Sequence, residues 1–261
     1  MKTAFVLSGG GARGISHIGA IKALQEQGIQ PDVISGTSAG AFVGALLAYG
    51  YTPDEILEMI LKTRLSGYLK FTFGFSGLLK LDAAEVFLKK YIPENSFESL
   101  KIPLAVTATD IHAGEEICFR TGELAKPVLA SCCLPGIFRP ILFEGRELVD
   151  GAIFNNLPVA PIEQQADYII GIHCNPIATA KTAQNAHNIV YRSFRLAMRG
   201  KAKASLDKCN LLIEAPELSR FNPFDFRKAQ QIFDIGYNYT KNLLTAHREN
   251  LNSTGLSTTP L

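Results

Sequence analysis

Three short stretches of this chain carry residue types that can do chemistry where a strand passes into a helix. In Gly36-Thr37-Ser38-Ala39-Gly40 a serine stands with glycines two residues away on each side, after the strand-like run 33–35 and before an uncharged stretch, 39–51. A nucleophilic serine has to project from a sharp turn, where small neighbours leave room for its hydroxyl and for an acyl group. The helix expected to begin at Ala39 points its positive end at that hydroxyl. Gly9-Gly10-Gly11-Ala12-Arg13-Gly14 also follows a strand-like run, 2–7, and opens a helix. Consecutive glycines let successive backbone N–H groups converge on one point. That point suits a phosphate or the oxyanion of a tetrahedral intermediate. The same letters match a dinucleotide fingerprint, but the fingerprint expects an acid at the far end of the next strand. Here Asp32 precedes that strand, and Gly36 and Ser38 follow it. Asp150-Gly151-Ala152 closes a third strand-like run. An Asp before Gly is by itself an Asx turn or a helix cap. At the C-terminal edge of a sheet it is also the group best placed to take a proton from Ser38.

The elements that must position these residues follow from the pattern of the chain. Strand-like segments at 2–7, 33–35, 102–109, 115–120, 147–149, 168–173 and 211–214 alternate with helical stretches. The main helices are 12–27, 39–50, 53–64, 82–91, 124–133, a stripe through Ile189, Phe194 and Met198, and one through Ile232, Phe233 and Leu244. Such alternation predicts one α/β domain around a mostly parallel sheet. The domain is placed at 1–248, with a polar, frayed tail at 249–261. A length of 261 residues is enough for a large single core without staples. The charge sum of +2 gives no reason to expect nucleic-acid binding. Five cysteines without CxxC spacing point to a reduced, cytoplasmic protein rather than to a disulfide framework or a zinc site. The longest apolar stretch is too short for a membrane span, and no secretion signal is read at the start.

Taken together and in this order, GGGARG, GTSAG and DGA resemble the patatin-like phospholipase family. The segment Ala130-Ser131-Cys132-Cys133-Leu134-Pro135-Gly136 is similar to the family's stretch ahead of its catalytic aspartate. The resemblance covers about residues 3 to 245 and implies a three-layer α/β/α sandwich. It also implies a serine lipid acyl hydrolase without metal or cofactor, acting on a phospholipid or lysophospholipid. By the same resemblance Ser38 is the nucleophile and Asp150 its partner in a Ser-Asp dyad. Gly9, Gly10, Gly11, Arg13 and Gly14 form the oxyanion-hole motif, and Gly36 and Gly40 flank the nucleophile. Cys133 and Arg139 depart from the family pattern and are expected to alter the pocket wall without touching the dyad.

Other readings stay open on the sequence alone. Ser38, Asp150 and His173 occur in the chain order of an α/β-hydrolase triad, although His173 also reads as a hydrogen-bonded residue at a strand end. His17 reads as structural and His112 as solvated. An acyltransferase would use the same acyl-serine, and a lipid-binding module would need the motifs only as scaffold. The run 65–81, with Tyr68, Phe71, Phe73 and Phe75 among glycines and lysines, reads either as a core strand or as a flap. The flap would touch a membrane surface, peripheral at the inner face.

Overall fold

The computed structural model describes residues 1–63, 81–177 and 186–253. The strands are β1 (Thr3–Leu7), β2 (Val33–Thr37), β3 (Leu104–Asp110), β4 (Glu115–Phe119), β5 (Ile141–Phe143), β6 (Arg146–Asp150), β7 (Tyr168–Ile172) and β8 (Leu211–Ile213). The helices are α1 (Ile15–Gln25), α2 (Ala39–Tyr49), α3 (Pro53–Thr63), α4 (Asp82–Tyr91), α5 (Ala125–Ser131), α6 (Ala186–Leu206) and α7 (Ala229–Ser253). The strand order is β5-β6-β3-β2-β1-β7-β8, with β4 also on β3. The central pairs β3-β2-β1-β7-β8 are parallel, while β4, β5 and β6 join antiparallel. The sheet is therefore mixed, and its parallel part carries the glycine and serine motifs.

Alternation along the strands sends successive residues to opposite faces. Phe5, Leu7, Ile34, Val106 and Ile170 belong to the main core with α1, α2, α3 and α7. Ala4, Val6, Val33, Ala105 and Ile169 pack on the other face against Leu157, Val159 and Ile162, with Leu206 at the end of α6. α2 is buried along nearly its whole length, as its lack of charge predicts. α1 is buried on several sides because α7, α3 and α2 pack against it. Thr52 and Glu55 form a reciprocal capping box at the start of α3.

Three features differ from the expectations. The first helix opens as a 3-10 turn, Gly11–Gly14, before α1. β5 adds a strand that the sequence reading does not contain. It is three residues long and joins β6 through Glu144 and Gly145, both at positive φ. Glu-Gly is a weaker hairpin signal than Asn-Gly, and three residues show no period. α7 runs on to Ser253, into the stretch read as a frayed tail. The run 65–81, read as strand or flap, lies outside the described residues except for Leu81. Among the described residues no helix is long and apolar enough to cross a membrane.

Candidate active site

Strand β3 brings the serine and aspartate motifs together. Its residues Leu104–Thr107 pair with β2, and its residues Ala108–Asp110 pair with β6. β4 pairs with Val106–Asp110, so it must occupy the opposite edge. β2 and β6 therefore share one edge of β3 and meet end to end. Thr37 stands opposite Thr107, and Asp150 stands opposite the next residue, Ala108. Ser38 leaves one strand end beside Asp150, which leaves the other.

The local backbone holds both groups tightly. Ser38 has φ 53° and ψ −123°, a strained conformation for a side-chain-bearing residue and the sharp elbow that the spacing predicts. Its N–H donates to Ser131 Oγ at 2.7 Å, and Ser131 Oγ donates to Thr107 O at 2.6 Å. Its carbonyl accepts from Phe42 N–H and starts α2. Gly36 and Gly40 act through close approach: a Cβ on Gly40 would stand 2.2 Å from Leu7 O, and one on Gly36 would stand 2.6 Å from the Gly40 carbonyl carbon. Asp150 accepts from Ala152 N–H at 2.9 Å, so it is also the cap that the bland reading expects. Its own N–H donates to Cys133 O at 2.9 Å. Burial pushes the Asp150 carboxyl up to about 6, although hydrogen bonds from Ala152 N–H and the Ser38 hydroxyl hold it back.

The glycine loop approaches the serine from β1. Gly9 N–H donates to Asn156 O, Ala12 N–H to Pro223 O and Arg13 N–H to Gly10 O. Among the described residues nothing takes the N–H groups of Gly10 and Gly11, so the free donors of the loop narrow to these two. Gly11 has φ +58°, and a Cβ there would meet Pro223 O at 2.3 Å. Arg13 is buried and lies outside the cavity. Its Nε donates to Phe221 O at 2.8 Å and its Nη1 to Asn175 Oδ1 at 3.2 Å. It thus ties the loop to the C-terminal part of the chain. Gly14 precedes α1 and lines the cavity.

These residues meet at one cavity of about 220 Å³. Gly9, Gly10, Gly11, Gly14, Ser38 and Asp150 form its polar end, and Ile15, Phe42, Val43, Ile60, Leu129 and Phe138 its apolar wall. Phe194, Met198 and Phe224 face the wall from α6 and the segment before α7. Cys132 also lines it. Burial, with the charge of Asp150 and neighbouring Cys133, pushes its thiol well up, so it stays protonated beside the serine.

His173, His17 and His112 each have partners other than Ser38 and Asp150. His173, 1% exposed, meets Glu214 through Nδ1 at 2.6 Å and Asn156 through Nε2 at 3.4 Å. Both of its nitrogens are therefore occupied by groups other than Ser38 and Asp150. His17 contacts Ser8 O at 2.7 Å, and burial pulls it down to about 4. His112 is exposed beside Glu147. The expectation for Cys133 and Arg139 needs correction: neither lines the cavity, and Cys133 touches the site through its carbonyl on Asp150. Ser131 and Asn156 escape sequence reasoning because their partners are remote in the chain, although both lie beside recognised motifs.

The family model for patatin-like phospholipase matches residues 5–162. An uncharacterized NTE family protein of Mycobacterium tuberculosis is 34% identical over 178 residues, 67% of this chain and 49% of the relative. Lysophospholipase NTE1 of Meyerozyma guilliermondii is 26% identical over 273 residues, 92% of this chain and 19% of the relative. The chain thus spans half or less of these curated relatives. The crystal structure of VipD from Legionella pneumophila has a similar fold, with a TM-score of 0.54 and 18% identity over 94% of this chain and 67% of that one. The chain belongs to the patatin-like phospholipase family.

Proposed function

We propose that this chain is a serine hydrolase of lipid acyl esters, with phospholipids and lysophospholipids as its substrate class. The observation that carries the reading is the meeting of β2 and β6 along β3, which sets Ser38 beside Asp150 at the mouth of an apolar cavity. Asp150 takes the Ser38 proton directly, and Oγ attacks the ester carbonyl carbon. The Gly10 and Gly11 N–H groups receive the oxyanion, as donors that need no reorganisation when charge develops. Asp150 returns the proton to the leaving alkoxide or alkoxide-like oxygen, which departs as an alcohol. Water then attacks the acyl-serine and gives its proton to Asp150. A carboxyl raised to about 6 is ionised at neutral pH and yet more basic than an ordinary aspartate. The apolar wall takes the acyl chain.

The test is covalent and kinetic together. A fluorophosphonate should add to Ser38, as located by peptide mass. Ser38→Ala should abolish both the adduct and hydrolysis of lysophospholipid and p-nitrophenyl esters, and EDTA should leave the rate unchanged. Labelling at another residue, or hydrolysis that survives Ser38→Ala, would overturn the reading.

A further inference from the structure

Asn156 is 2% exposed, lines the cavity, and has a side-chain oxygen without a partner among the described residues. A buried acceptor left bare costs about 1–3 kcal/mol, so its persistence at this site calls for a ligand. Its place is defined by Gly9: an ideal Cβ there would stand 2.8 Å from Asn156 Oδ1 and 3.0 Å from Ser38 Cβ. The amide oxygen and the serine thus flank the same glycine.

The orientation of the amide follows from the chain of partners behind it. Arg199 donates through Nη1 and Nη2 to the two oxygens of Glu214. Glu214, so held, can only accept, and it takes His173 Nδ1–H. Burial keeps His173 in its neutral form, which leaves Nε2 as an acceptor. Nε2 therefore receives Asn156 Nδ2–H, and Oδ1 is the amide atom left without a partner among the described residues, packed beside Gly9.

We propose that Asn156 Oδ1 receives the second O–H of the water that attacks the acyl-serine, and so favours hydrolysis over acyl transfer. The inference rests on the acyl-serine reading above. Water has two O–H bonds. One is broken as its proton passes to Asp150 and its oxygen bonds to the acyl carbon; the other donates to Asn156 Oδ1 and fixes the lone pair on the carbon. Collapse breaks the bond from carbon to Ser38 Oγ, which regains the proton from Asp150, and a carboxylic acid leaves. An alcohol has a single O–H, which Asp150 takes, so the second acceptor gives it nothing. His173 and Glu214 act through Asn156 as positioning residues.

The readout is the ratio of fatty-acid methyl ester to free fatty acid formed from a p-nitrophenyl ester at a fixed methanol concentration. It reports which nucleophile attacks, whatever step limits the rate. Asn156→Leu removes the acceptor at similar volume and should raise the methyl ester share about three- to tenfold, the value of one neutral hydrogen bond. Asn156→Ala takes its place if circular dichroism shows the leucine variant unfolded. Glu214→Gln, which leaves Asn156 present but frees the His173 tautomer, should shift the ratio in the same direction by less. It decides the matter if neither Asn156 variant folds. An unchanged ratio, or a shift toward free acid, would overturn the inference. Failure of the fluorophosphonate to label wild-type Ser38 would instead overturn the acyl-serine reading beneath it.

Discussion

Asp150, which lines the cavity, and Glu214, which holds His173 from behind, are carboxylates that titrate in opposite directions. Asp150 is buried with neutral hydrogen-bond donors only, Ala152 N–H and the Ser38 hydroxyl; burial prevails, and the carboxyl rises to about 6. Burial pushes Glu214 up too, but hydrogen bonds from His173 and Arg199, with the charge of Arg199, outweigh it, and the carboxyl falls to about 2. The first keeps a proton site whose two states are close in free energy at working pH. The second is locked in one state and can only orient what it touches. The difference separates a group suited to moving a proton from a group suited to holding a framework, and of the two only Asp150 lines the cavity.

The sharpest test of this comparison is activity. Asp150→Asn should lose about 10⁴-fold or more in kcat, and Ser38→Ala with Asp150→Asn should be hardly worse than either alone, because residues that act as a unit are not additive. Glu214→Gln should lose less than about tenfold in total ester turnover. A Glu214→Gln loss equal to that of Asp150→Asn, measured with both variants folded, would erase the distinction.

Stability should move the opposite way. The folded Asp150 pKa lies above its ordinary value of 3.8, so ionising it costs stability that is lost as pH rises from about 4 to 6 and stays lost above. Asp150→Asn should therefore be more stable than wild type at pH 8, by up to about 3 kcal/mol, with no gain below about pH 4. The Glu214 pKa is lowered, so its contribution is present above its ordinary value and vanishes as pH falls toward 2. Glu214→Gln should destabilise by about 1–3 kcal/mol at pH 8, the worth of charged hydrogen bonds. Thermal or urea unfolding at the two pH values checks both signs.

The smallest effect is the pH profile itself. kcat/KM of the wild type should fall about tenfold per unit below about pH 6, as Asp150 takes up its proton, and Glu214→Gln should leave that limb in place. A limb that moved with Glu214→Gln would make His173 and Glu214, rather than Asp150, the titrating system.

What could be read from the sequence alone was local. β1, β2 and the uncharged α2 follow from apolar runs and from a helix without charge; the elbow at Ser38 follows from its flanking glycines; and the cap at Asp150 follows from Asp before Gly. Each depends on neighbours within a few residues, so spacing is enough to reveal it. The order of the three motifs also pointed to the family that the comparison then supported. Only the tertiary structure decided that β2 and β6 divide one edge of β3, because an edge shared by two strands leaves no periodic mark in any of them. It likewise decided that the Gly9, Ala12 and Arg13 N–H groups are spent on Asn156, Pro223 and Gly10, while those of Gly10 and Gly11 have no partner among the described residues. Finally it joined Asn156, His173, Arg199 and Glu214, residues from four separate stretches. Their chemistry depends on who meets whom after folding, since a buried polar group is defined by its partners and those partners are fixed only by the packed chain.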